Sequence, residues 1–225
     1  KTFPKIKLIK TPKNNGFAYG NNFGIRYALK NQASHIMIIN PDVTVGKTFL
    51  KPLLNVFKTN PKAGLVAPVH QHQQNKQIFY GLGGKVNWKT TKCEHVNTKK
   101  FEIKDPKQYE FISFACVLIK REVFETVGLL NELYFMYLED VDYCLTASKA
   151  GFGCFIEPKV IITHNTSSSF SIPTQKLKFS FVSQFKFIKR WLPLTKRPYA
   201  YIYMIFFYTY LYLLWTYHYH KNKWT

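Results

Sequence analysis

The stretch His35 to Val43 reads HIMIINPDV. Its unbroken apolar run suits a strand buried in a parallel sheet. The run stops at Asn40-Pro41-Asp42, because proline cannot continue a central strand. Upstream, Ile6 to Ile9 reads as a short strand. It runs into TPKNNGFAYGNNFG (11–24), a loop punctuated by Gly and Asn, and then a helix through Arg26 and Lys30. Downstream, TFLKPLLNVFK (48–58) has helical spacing and GLVAPV (64–69) reads as another buried strand. Residues 70–108 read as polar and irregular. FISFACVLIK (111–120) reads as a strong strand, REVFETVG as a short helix, and LEDVDYCLTASKAG as a helix ended by Gly151. FGCFIEPKVIITHN (152–165) supplies one more strand. Strands alternating with helices predict an α/β sheet, with chemistry gathered at the carboxyl ends of the strands.

The totals agree with a packed core. Of 225 residues 46% are apolar, and net charge is +20 with a pI near 9.8. Such an excess favours an anionic partner: a phosphate-bearing substrate, an acidic membrane face or nucleic acid. Cys93, Cys116, Cys144 and Cys154 form no C-x-x-C pair, which argues against a zinc site and points to a reducing, cytosolic compartment. The chain opens on Lys1 rather than Met, and a missing N-terminus is expected.

Several groups could carry chemistry. Asn40 and Asp42 sit at i and i+2 just past a strand, where one carboxylate and one amide suit a hard cation on a diphosphate. The same residues also make a plain Asx-Pro turn. YFMYLEDVDYC (134–144) sets Glu139, Asp140 and Asp142 in an apolar run. Acids there complement a helix dipole, and a desolvated carboxylate also serves as a general base. His164 stands at a strand end, as a packed residue or a metal ligand. The loop holding Asn15, Gly16 and Asn22 could approach a phosphate or sugar closely, although it is neither G-x-G-x-x-G nor a P-loop.

Taken in order, NNGFAYGNNFG (14–24), IINPDV (38–43), FISFACVLIKREVFETVG (111–128), YFMYLEDVDYC (134–144) and His164 resemble the family 2 glycosyltransferases, in particular their rhamnosyltransferase-like branch. The resemblance covers roughly residues 6 to 168. It implies a GT-A fold, a Rossmann-like α/β sandwich, and an inverting transfer. A sugar, rhamnose by this branch, would pass from a nucleotide-diphosphate donor to a glycan or lipid-linked acceptor in cell-surface polysaccharide synthesis. By the same resemblance Asp42 holds Mg²⁺ or Mn²⁺ and His164 completes that site. Asp140 is the catalytic base with Glu139 beside it. Asn15, Gly16, Asn22 and Asn40 face the donor, and 111–116 face the acceptor. Two departures stand out. Thr146 replaces a usual arginine, which should leave Asp142 less well paired. The family's opening strand and loop for the nucleotide base are also absent, so an incomplete enzyme lacking the first strand or strands of its sheet is expected.

Composition changes past Ser169, and a boundary is placed at 168: a partial catalytic unit over 1–168 and a membrane-associating helical region over 169–225. KLKFSFVSQFKFIKRW (176–191) interleaves basic and aromatic residues, which suits an anionic membrane surface. Single-stranded nucleic-acid binders share this pattern, but no RNP-like or OB-like signature accompanies it here. Residues 199–220 are long enough to span a bilayer, yet they hold eight tyrosines, which favour the interface. An interfacial helix or hairpin at the inner face of the plasma membrane is preferred to a span. The rival readings are a non-catalytic fragment and a basic module that binds nucleic acid or membrane.

Overall fold

The computed structural model describes residues 6–74, 76–164 and 173–221. In chain order its elements are α1 (Phe17–Lys30), β1 (His35–Ile39), β2 (Val43–Thr44), α2 (Leu50–Thr59), β3 (Ala63–Gln74), β4 (Gln77–Asn87), β5 (Lys92–Thr98), β6 (Lys107–Tyr109), β7 (Cys116–Lys120), α3 (Arg121–Val127), α4 (Glu139–Lys149), β8 (Gly153–His164), α5 (Pro173–Trp191) and α6 (Arg197–Lys221). The boundary placed at 168 lies outside the described residues.

The sheet is mixed, not parallel throughout. β7 runs antiparallel between β1 and β3, while β8 pairs with β3 in parallel. The run over β1 therefore sits beside an antiparallel neighbour. No described strand pairs with its other edge, and its burial alternates accordingly. Ile6–Ile9 forms no strand; Ile6 and Leu8 lie exposed, with no ladder to join.

Residues 70–98, expected to be irregular, form the longest departure from the sequence reading. β3 continues through His70–Gln74 and turns back as β4, which pairs with β5. This ribbon is polar because much of it is solvated. Its glycines are there for contact rather than for turns: a Cβ on Gly84 would strike the ring of Phe111. FISFA (111–115) lies outside the β7 strand. Phe111, Ile112 and Phe114 are buried in a loop, and the ladder begins only at Cys116.

The main core lies between the sheet and α1, α3 and α4, around Ile38, Leu65, Phe111, Ile119 and Tyr134. A second cluster packs α2 on the opposite face through Leu53, Val56 and Phe57. α5 joins the first core through buried Phe187, and Ile188, Leu192, Ala200 and Met204 bind α5 to α6. Gly151, at a φ of +93°, ends α4 where the sequence placed its stop.

Candidate active site

The ladder delivers the first two residues. Asn40 N–H donates to the Ala115 carbonyl at 2.8 Å, and Val43 N–H closes the turn onto the Asn40 carbonyl at 3.2 Å. β2 then pairs with β8 so that Val43 lies opposite His164. That register brings His164 Nε2 to 3.3 Å from Asp42 Oδ1. Two residues far apart in sequence thus meet at a strand end because two short ladder segments align there.

The third and fourth come from the start of α4. Tyr137 and Leu138 both hold positive φ, 68° and 69°. Non-glycine residues in this region cost about 1–3 kcal/mol each and persist where surrounding structure enforces them. Here the enforcement is visible: Phe17 N–H bonds the Phe135 carbonyl at 3.0 Å, and Ser183 Oγ donates to the Met136 carbonyl at 2.6 Å. Gly16 permits the first of these contacts, since a Cβ there would collide with the Phe135 carbonyl. The strained pair turns the chain into α4 so that Glu139 and Asp140 face inward.

A cavity of about 490 Å³ results, lined by Asn40, Asp42, Glu139, Asp140 and His164, with Ser113–Ala115, Met136 and Lys176 completing its wall. Glu139 is buried, and its Oε2 has no hydrogen-bond partner. Burial, and then the charge of Asp140, push its pKa up to about 8. Burial also raises Asp140, opposed by His95 and by backbone N–H groups such as that of Val141, which donates to Oδ1 at 2.8 Å. Behind His164, His70 is buried edge-on to its ring at 6.1 Å between centroids. Burial, then the proximity of His164, hold His70 down near 4, so it is neutral.

Asp142, two residues on, points the other way. Its side chain is fully enclosed, and Oδ1 accepts from Arg190 Nε at 2.6 Å, Trp191 Nε1 at 2.7 Å and Tyr134 OH at 3.1 Å. Asn131 Nδ2 reaches Oδ2 at 3.3 Å. The expectation that Thr146 would leave Asp142 poorly paired is corrected. Thr146 Oγ1 bonds the Asp142 carbonyl at 2.7 Å, and the cation comes from α5, folded back on α4.

Asn15, Gly16 and Asn22 do not line the cavity; their neighbour Phe17 does. Asn22 is buried, bonded to the Leu130 backbone through both its amide atoms and to Glu132 Oε1. It ties α1 to the segment after α3. The sequence reading passed over Lys176, Arg190 and Trp191. Only the basic–aromatic pattern of KLKFSFVSQFKFIKRW (176–191) marked them, and it was read as suiting a membrane surface.

Among the described residues no group of three or more His, Cys, Asp and Glu is arranged to hold a metal. Asp42 and His164 set one oxygen and one nitrogen 3.3 Å apart at the cavity wall.

The fold is that of the GT-A glycosyltransferases. It superposes on the crystal structure of GalNAc-T7 with UDP, GalNAc and Mn²⁺ at a TM-score of 0.56, with 12% identity over 87% of this chain and 42% of that one. A model of glycosyl transferase family 2 matches residues 1–128, and the chain belongs to that family. It is 28% identical to the dTDP-rhamnosyl transferase RfbF of Shigella flexneri, over 71% of this chain and 52% of the relative. It is 26% identical to the low-salt glycan biosynthesis hexosyltransferase Agl10 of Haloferax volcanii, over 64% and 47%. With the N-acetylglucosaminyl-diphospho-decaprenol L-rhamnosyltransferase of Mycobacterium tuberculosis it shares 25% identity, over 74% and 61%. The chain spans about half the length of the curated relatives it matches.

Proposed function

We propose that this chain carries the catalytic centre of an inverting glycosyltransferase, which moves a sugar from a nucleotide-diphosphate donor to a glycan or lipid-linked acceptor in cell-surface polysaccharide synthesis. The observation that carries the reading is the meeting of Asp42, His164, Glu139 and Asp140 around one cavity. Rhamnose is the sugar favoured by the names of two relatives, and one of those names also prints a diphospho-lipid acceptor.

The pair of acids divides the labour. Glu139 stays protonated at neutral pH, because burial and its neighbour disfavour a second charge. Asp140 keeps backbone N–H donors such as that of Val141, which favour its carboxylate form. It accepts the proton of the acceptor hydroxyl as that oxygen attacks the anomeric carbon. The bond from that carbon to the diphosphate oxygen breaks on the opposite face, and the configuration inverts. Asp42 and His164 fit Mg²⁺ or Mn²⁺, since a hard cation accepts few protein ligands when phosphates and water fill the rest. A cation held by Asp42 and His164 would neutralise charge on the departing diphosphate. Lys176 adds a fixed positive charge to the same wall.

The α5–α6 hairpin rests on an anionic membrane surface in this reading. Residues 169–225 hold nine lysines and arginines and no acid. No described helix is long and apolar enough to cross a membrane, and α6 exposes Ile202, Phe206, Tyr210 and Leu213 along one stripe. Incubating the intact protein with a panel of nucleotide-sugars and either cation, followed by product analysis, tests the reading. Transfer with inverted configuration is expected. Donor turnover that is indifferent to Asp140→Asn would overturn it.

A further inference from the structure

A second cavity of about 450 Å³ lies between α5 and α6, lined chiefly by Leu177, Phe181, Val182, Ile205, Tyr208 and Tyr212. It is nearly all apolar and open along one side, where Val182, Ile205 and Tyr212 are 39%, 52% and 52% exposed. It shares one stretch of α5 with the catalytic cavity. Lys176 lines the catalytic cavity, and the next residues, Leu177 and Lys178, line the apolar one. No described carboxylate forms an ion pair with Lys176 or Lys178. The two cavities keep a fixed relation. Phe179 stacks on Phe135 at 4.8 Å, Ser183 holds the Met136 carbonyl, and Arg190 holds Asp142.

We propose that this groove binds the polyprenyl chain of a lipid-diphosphate acceptor. The inference rests on the glycosyltransferase reading and adds to it the acceptor's path. The diphosphate lies against Lys176 and Lys178, where two unpaired ammonium groups meet a dianion. The first isoprene units lie in the groove, exchanging water for Phe181, Val182 and Ile205. The sugar then extends past Lys176 toward Asp140. Open on one side, the groove lets the rest of the chain stay in the bilayer beside α6.

The test uses the intact protein in detergent with two acceptors, one sugar-diphosphate on a long polyprenol and the same sugar-diphosphate on a short alkyl chain. Val182→Asp and Ile205→Asp place a charge in the groove at positions already in contact with water, away from the catalytic cavity. Each is expected to raise KM for the polyprenyl acceptor at least about tenfold, a loss of a few buried methylenes. KM and kcat for the short acceptor are expected to stay unchanged. Equal effects on both acceptors, or none on either, would overturn the groove. So would variants that lose only binding to anionic vesicles, or only self-association, with the polyprenyl KM intact. A photoreactive polyprenyl diphosphate provides a readout independent of turnover. It should label the α5–α6 groove, and less so in both variants; labelling elsewhere refutes the proposal. Absence of transfer to either acceptor by the unmodified protein, with the groove still labelled, would instead sink the glycosyltransferase reading alone.

Discussion

The first turn of α4 has two faces, and they treat identical chemistry in opposite ways. Toward α5, Asp142 is enclosed and met by Arg190, Trp191, Tyr134 and Asn131. Toward the cavity, Glu139 is enclosed with one oxygen unpartnered, and both it and Asp140 are raised. A buried carboxylate that is fully bonded fixes structure, whereas one left short of donors keeps an affinity for protons. The satisfied face therefore anchors the helix, and the unsatisfied face is available for reaction. The helical period turns Asp140 and Asp142 to opposite sides of α4, and the two left-handed residues before it set the angle at which the chain enters the helix.

The largest expected effect comes from breaking the reactive face. Asp140→Asn should lower transfer by about 10²–10⁴-fold, the usual span for losing a general base, while donor binding measured by calorimetry persists. Next is the anchoring face. Arg190→Met leaves Asp142 without its cation. Stripping one partner from a fully buried pair costs about 3–5 kcal/mol, and since Arg190 is itself partly solvated, about 2 kcal/mol is expected in denaturant unfolding. Arg190→Met combined with Asp142→Asn should recover part of that loss. Independent, additive effects would show that the pair is not coupled.

A third test sharpens the contrast through pH. Glu139 binds its proton more tightly folded than unfolded, so its contribution is fully favourable below about 4.5. That contribution is lost as pH rises toward about 8. Glu139→Gln should flatten the decline in stability across that window, and melting temperatures at half-unit pH steps would show it. An unchanged slope would mean that Glu139 does not hold its proton in the fold. The smallest effect concerns the strained entry to the turn. Ser183→Ala removes the hydroxyl bonded to Met136 and should cost about 1 kcal/mol with little change in donor affinity.

Much of this was legible in the chain alone, for definite reasons. Ile36–Ile39, Leu65–Val69 and Val117–Ile119 are apolar runs short enough, and rich enough in β-branched residues, to read as buried strands. Asp42 and His164 were marked by standing at the ends of such runs, and Asp140 by its place in the apolar stretch 134–144. The ribbon over 70–98 was hidden because its strands are polar and its glycines mimic turns, their purpose being to admit the rings of Tyr109 and Phe111. Asn22 looked like part of a ligand loop, whereas its bonds to Leu130 and Glu132 join positions over a hundred residues apart. The same holds for Arg190, whose partner no local pattern names.

The sequence by itself determined the apolar strands β1, β3, β7 and β8 with helices between them, the placing of Asp42 and His164 at strand ends, and an aromatic tail with no Lys or Arg over 198–220. Those features depend on neighbours within a few residues. Only the tertiary structure decided that β7 lies antiparallel in the sheet, that His164 faces Asp42, and that one carboxylate of α4 is bonded while another is left wanting. These turn on register and on which distant donor arrives, and burial makes each arrival or absence worth kilocalories.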